Sequence, residues 1–116
     1  MEIELTEYCD LVHEGGGFII HAHPFRHDSY IDMIRLIPGY VDGVEVLNSS
    51  MKDENVNKMA EIYADFYKLL KTSGSDLHYF ERERISGIKT ENRITSAADM
   101  LKELKSGKTE IFVENI

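Results

Sequence analysis

The sequence predicts an α/β architecture in which parallel strands are covered by helices. Three observations carry that expectation. Segments with apolar residues at helical spacing alternate with short runs of consecutive apolar residues. Gly, Pro and Ser punctuate the junctions between them. No internal repeat, low-complexity tract or linker interrupts that order.

Taken in order, Leu5, Tyr8 and Leu11-Val12 fall on one helical face, with Thr6 a candidate cap and Gly15-Gly16-Gly17 ending the helix. Phe18-Ile19-Ile20 then reads as a buried strand. Ser29 with Asp32 resembles a capping box ahead of Ile31, Ile34 and Ile37 at helical spacing, and Pro38-Gly39 breaks that helix. Residues 41–47, rich in Val, form a second strand candidate. Across residues 53–71 the stripe Val56, Met59, Ile62-Tyr63, Phe66 and Leu69-Leu70 predicts an amphipathic helix, interrupted by Ser73-Gly74-Ser75 before a short extended piece. Residues 81–84 alternate in charge and read as an exposed loop. Residues 85–90 form a strand candidate, Ser96 and Asp99 mark a helix start, Leu101 and Leu104 supply its apolar face, and Gly107 stands at its end. Ile111-Phe112-Val113 closes the chain as a strand. The resulting α-β-α-β-α-β-α-β order has no repeat or linker, so residues 1–116 are expected to form a single domain.

Composition narrows the function. The net charge is -8, with 42% hydrophobic and 29% charged residues. An acidic chain lacks the basic face that nucleic-acid backbones require, so no nucleic-acid partner is expected. An anionic substrate stays open, because bound divalent cations would invert the local field. No apolar run approaches the roughly 18 residues of a membrane span, and no basic-plus-apolar leader opens the chain. The single Cys9 fits a reducing compartment, so a cytoplasmic location is expected; on the apolar helix face it reads as a core residue.

Three strand ends carry residues suited to chemistry. In His21-Ala22-His23-Pro24-Phe25-Arg26, two histidines at i and i+2 share a face if the strand continues, and imidazoles suit zinc, iron or manganese. A hydrogen-bonded core histidine is the competing reading. In Gly74-Ser75-Asp76-Leu77-His78, Asp76 and His78 have the same spacing, and a plain turn with an exposed His competes there. In Gly43-Val44-Glu45-Val46-Leu47-Asn48, a carboxylate between valines needs a partner: Glu45 is a ligand, a salt-bridge partner or an orienter of Arg26, while Asn48 organises the turn. His13 lies near a helix end, where a cation is favoured, and His27-Asp28 reads as a solvated pair. Gly15 to Gly17 is not a phosphate loop, since no Lys-Ser/Thr follows.

The run GGGFIIHAHPFR, then GVEVLN, a long helix, TSGSDLH and the closing helix and strand resemble the polymerase and histidinol phosphatase (PHP) family. The resemblance implies a partial (β/α) barrel, the C-terminal half of that family's distorted (β/α)7 barrel. It also implies hydrolysis of phosphate esters through a metal-bound water. Carried over by motif, His23, Asp76 and His78 are implied metal ligands for zinc, manganese or iron, and Arg26 a contact to substrate phosphate. His21 has no counterpart, and Glu45 and Asn48 match a frequent pattern without a catalytic role. The family's opening His-x-His ligands have no match here, so weak metal binding and low turnover on a small phosphorylated substrate are expected. The alternative is a non-catalytic half-barrel, a scaffold or binding module. Either way, an open sheet edge and bare apolar surface predict a homo-oligomer.

Overall fold

The computed structural model describes residues 3–78 and 83–116. Its elements run α1 (Leu5–Glu14), β1 (Ile20–His21), β2 (Gly43–Asn48), α2 (Glu54–Phe66), β3 (Leu70–Gly74), β4 (Arg84–Lys89), α3 (Ala97–Lys105) and β5 (Glu110–Asn115). β1, β2 and β3 form a parallel sheet in that order. Ile20 pairs with Gly43, and Gly43 in turn with Leu70. The central strand is squeezed there: a Cβ on Gly43 would lie 2.8 Å from both Ile20 Cδ1 and Leu70 O. Between Glu45 and Leu47 the β2–β3 register slips, so one extra residue of β2 is accommodated as a bulge.

The core is the contact between β2 and α2. Val44, Val46, Ala60, Tyr63 and Ala64 form it, with Phe25 and Leu69 packed against it. Each fully buried Val contributes about 1.5–3 kcal/mol by leaving water. Asp53 caps α2 by accepting the Asn55 N–H at 2.9 Å. The helix ends at Phe66 because Lys68 turns left-handed at φ 56°. Leu70 and the following residues then pair with β2 instead of extending the helix to residue 71 as the apolar stripe suggested. That stripe also divides. Val56, Ala60, Tyr63 and Ala64 are buried, whereas Met59, Ile62 and Phe66 lie on an exposed face.

Other expectations are corrected as well. The segment with Ile31, Ile34 and Ile37 is not helical; Asp28 takes the Ser29 N–H on its side chain and the Ile31 N–H on its carbonyl, forming turns. Ile31 and Ile37 are only partly buried and Ile34 is exposed, so little packing supports a helix there. Ile37 precedes Pro38, which disfavours the helical backbone further. β4 and β5 pair antiparallel, from Arg84 with Asn115 to Lys89 with Glu110, and do not extend the parallel sheet. They adjoin it through serines: Ser86 Oγ donates to Gly74 O at 2.7 Å, and Ser86 N–H donates to Ser75 Oγ at 2.8 Å. Among the described residues the strands do not close into a barrel. The exposed loop expected at residues 81–84 lies partly outside the described residues: Glu81 and Arg82 are not described, and Arg84 opens β4.

α3 follows its sequence signals closely. Ser96 accepts the Asp99 N–H at 3.1 Å, Leu104 is buried, and Gly107 takes φ 75° just past the helix end. α1 begins one residue before Thr6 and has no side-chain cap. It buries Cys9 but leaves Leu5, Tyr8 and Leu11 exposed. Among the described residues no helix is long and apolar enough to cross a membrane.

Candidate metal and anion site

Because β1, β2 and β3 are parallel, the three polar strand ends noted in the sequence leave the sheet on one side. Ligand sites of open α/β sheets form at this carboxyl edge. Asp76 is the centre. Its Oδ2 lies 3.8 Å from His23 Nε2 and 3.6 Å from Arg26 Nη1, and its Oδ1 lies 3.2 Å from His78 Nδ1. Asn48 Nδ2 donates to the same Oδ2 at 3.2 Å. The structure therefore brings His23, Arg26, Asp76 and His78 together. The Asp76 side chain is largely buried, His23 and Arg26 are partly buried, and His78 stands at the rim.

Two of these residues carry unusual backbone. His23 has φ 27° and Asp76 has φ 51°, in the left-handed region that non-glycine residues avoid. Each such residue costs about 1–3 kcal/mol and persists only where its surroundings over-determine it. For His23 part of that support is visible: its N–H donates to Glu45 Oε1 at 3.0 Å, and its carbonyl accepts the Arg26 N–H at 3.0 Å. For Asp76, Ser50 Oγ donates to the carbonyls of Ser75 and, at 3.4 Å, Asp76.

The left turn at His23 also overturns the strand spacing expected for the two histidines. β1 ends at His21, so His23 does not continue its alternation. His21 Nδ1 is buried and has no hydrogen-bond partner among the described residues. Burial, and then the neighbouring His23, push its pKa down, which favours the neutral imidazole. Glu45 also differs from the role of orienting Arg26. It accepts from His23 N–H and from Asn48 Nδ2, whereas the carboxylates against Arg26 are Asp28, at 3.6 Å, and Asp76. Arg26 also lies over the Tyr30 ring, 5.5 Å from its centroid.

Asn48 does more than organise a turn. Its Oδ1 accepts the Ser50 N–H, as expected, but its main chain also exchanges hydrogen bonds with the Asn57 side chain. The signal for that pair was an Asn on the buried face of α2, which nothing apolar explains. His13 stands in the last turn of α1, as its sequence position suggested, and its Nε2 also lies 2.8 Å from Asp42 Oδ2; the same oxygen accepts the Ile19 N–H at 2.7 Å. His27 stays in an exposed loop with its Nδ1 near Phe25 O.

Imidazole and carboxylate are donors that zinc, manganese and iron accept. Two donors on one tetrahedral ion, with bonds of about 2.0–2.1 Å, stand roughly 3.3 Å apart. His23 Nε2 and Asp76 Oδ2, 3.8 Å apart, are slightly beyond that edge. His78 Nδ1, 3.2 Å from Asp76 Oδ1, is engaged by the Asp76 carbonyl at 2.9 Å, which accepts from a protonated Nδ1 and leaves Nε2 as the nitrogen that would meet an ion. Among the described residues no three His, Cys, Asp or Glu side chains gather closely enough to hold an ion as they stand. The donor types suit a divalent ion; the triple is not drawn around one point. Beside His23 and Arg26 opens a cavity of about 420 Å³, walled by Leu5, Tyr8, Ile31 and Ile34.

Comparison with protein-family models, curated proteins and solved structures finds no match.

Proposed function

We propose that this chain supplies part of a metal-dependent phosphoesterase site of the PHP type, with His23, Asp76 and His78 as metal donors and Arg26 as the contact to substrate phosphate. The observation that carries the reading is the Asp76 carboxylate, which lies within 4 Å of two imidazoles and a guanidinium at the carboxyl ends of parallel strands. The parallel arc β1-β2-β3 with α2 supports the further proposal that the chain is one part of a (β/α) barrel.

A bound divalent ion would lower the pKa of its water and polarise a phosphoryl oxygen. The protein groups do the remaining work. Asp76 and the two imidazoles offer three donors, few for a multinuclear cluster, so loading is weak. Arg26 presents a guanidinium at the same point, suited to two oxygens of a phosphate. The adjoining cavity of about 420 Å³ is in the size range of small-molecule sites and takes the body of a small ester.

The test is zinc and manganese binding by competition with a chelating dye, alongside p-nitrophenyl phosphate turnover with and without chelator. Saturable binding lost in His23→Ala and Asp76→Asn, with little turnover, is expected. No binding in the parent chain would refute the reading. The alternative, a non-catalytic scaffold that oligomerises, is favoured by one observation: Ile62 and Phe66 on α2 remain 68% and 75% exposed. Self-association without metal binding would select it.

A further inference from the structure

We infer that Glu45 and Asn48 form a clamp whose role is positioning: it fixes the two left-handed residues of the site, His23 and Asp76, relative to each other. The inference rests on the reading of His23 and Asp76 as metal donors.

On a regular strand, residues three apart point to opposite faces. Glu45 and Asn48 are three apart, yet Asn48 Nδ2 donates to Glu45 Oε1 at 3.1 Å. The register slip between Glu45 and Leu47 removes the contradiction. The extra residue turns Asn48 onto the face that Glu45 already occupies. The bulge thus acts as the device that creates the pair.

From there each member reaches a different neighbouring strand end. Glu45 Oε1 also accepts the His23 N–H at 3.0 Å, beyond β1. Asn48 Nδ2 also donates to Asp76 Oδ2 at 3.2 Å, beyond β3. One carboxamide therefore bridges two carboxylates that would otherwise repel, and one carboxylate holds the backbone of a histidine in a turn it would not adopt alone.

Burial and satisfaction make the clamp stiff. Asn48 is 1% exposed, and each of its polar atoms has a partner: Asn57 for the main chain, Ser50 for Oδ1, Glu45 and Asp76 for Nδ2. Ser50, placed by that Oδ1, in turn donates to the backbone of Ser75 and Asp76. Glu45 is confined from the other side by Gly74, where a Cβ would stand 3.0 Å from Glu45 Oε2. Such partners orient ligands without touching substrate.

The test uses the whole chain and two variants. Asn48→Asp keeps an acceptor for the Ser50 N–H but turns the bridging donor into a third carboxylate oxygen. Gly74→Ala leaves every clamp group in place and pushes on Glu45. Amide hydrogen exchange of His23, Val44 and Val46 is read without metal, and zinc affinity by dye competition. His23 exchange should accelerate at least about tenfold in Asn48→Asp and less in Gly74→Ala, while Val44 and Val46 stay within about twofold. Zinc affinity should fall about 10- to 100-fold in Asn48→Asp. Adding Glu45→Gln to Asn48→Asp supplies a new donor at position 45, so His23 protection should return while zinc affinity stays low, because the hydrogen bond from residue 48 to Asp76 Oδ2 is still missing. His23 exchange unchanged in both variants, or accelerated in step with Val44 and Val46, would overturn the clamp. If the parent chain binds no zinc, the metal reading fails, and the exchange pattern alone decides the clamp.

Discussion

The chain is expected to self-associate, and the surface it exposes sets the scale. A compact monomer of 13.3 kDa exposes about 6,500 Å² by the size scaling of folded proteins. This chain exposes 8372 Å², an excess of roughly 1,900 Å². A standard protein interface takes about 800 Å² from each partner, so the excess is ample for one. Two apolar faces contribute: Met59, Ile62 and Phe66 on α2, and Leu5, Tyr8 and Leu11 on α1. The perturbation is Ile62→Asp with Phe66→Asp, and separately Tyr8→Asp with Leu11→Asp. All four side chains are exposed in the monomer, so each substitution should alter its stability by no more than about 0.5 kcal/mol. In an interface, each lost apolar side chain is worth about 1.5–3 kcal/mol. A pair therefore weakens assembly by about 3 kcal/mol or more, roughly a hundredfold in dissociation constant. Sedimentation velocity across about 1–100 μM reads this directly, spanning dissociation constants worth about 8 to 5.5 kcal/mol. A 13.3 kDa monomer throughout that range in the parent chain, or an oligomer untouched by both pairs, would refute the reasoning.

Three further outcomes are expected. Val46→Ala, at 1% exposure in the β2–α2 contact, should cost about 2 kcal/mol and lower the melting midpoint by roughly 8 °C in calorimetry. Tyr63→Phe keeps the edge-on contacts with Phe25 and Tyr67, at 5.8 and 5.3 Å between ring centroids, but removes a buried hydroxyl that has no partner among the described residues. Burial, and then Tyr67, already push that hydroxyl's pKa up, and its removal should stabilise the chain by up to about 1 kcal/mol in denaturant titration; a loss of that size would reveal a partner. Asp99 has its pKa lowered first by the Thr95 hydroxyl, at 2.8 Å, and then by the Thr95 N–H. The folded carboxylate keeps its charge to lower pH than in the unfolded chain. Its contribution is therefore present above the ordinary aspartate value of about 3.9 and lost as pH falls through the depressed folded value. Titration of the Asp99 carboxyl by NMR should place its midpoint below that ordinary value, and Thr95→Val should raise it.

What was legible in the sequence is what a few neighbouring residues decide. Ser96, Asp99 and Gly107 act within a single turn, and α3 begins and ends where they dictate. The Val-rich run makes β2, because buried parallel strands need little more than continuous apolar residues, whereas of Phe18-Ile19-Ile20 only Ile20 enters a strand, the two-residue, half-buried β1. The histidines and the Asp after those runs were visible as candidates because polar groups at buried strand ends need partners. What remained hidden depends on residues far apart in the chain. Ile31, Ile34 and Ile37 have helical spacing, but Ile34 stays exposed and Pro38 follows, and a short helix with so little packing does not persist. Leu69 and Leu70 continue a helical stripe, yet pairing with β2 draws Leu70 into a strand. The same pairing forces the bulge that sets Asn48 beside Glu45, and with it the link from His23 to Asp76. Local propensity is worth tenths of a kcal/mol per residue, whereas strand pairing and burial act through whole elements at once. The residue types of the candidate site were therefore readable one by one, while their geometry came only from the way three strands register against each other.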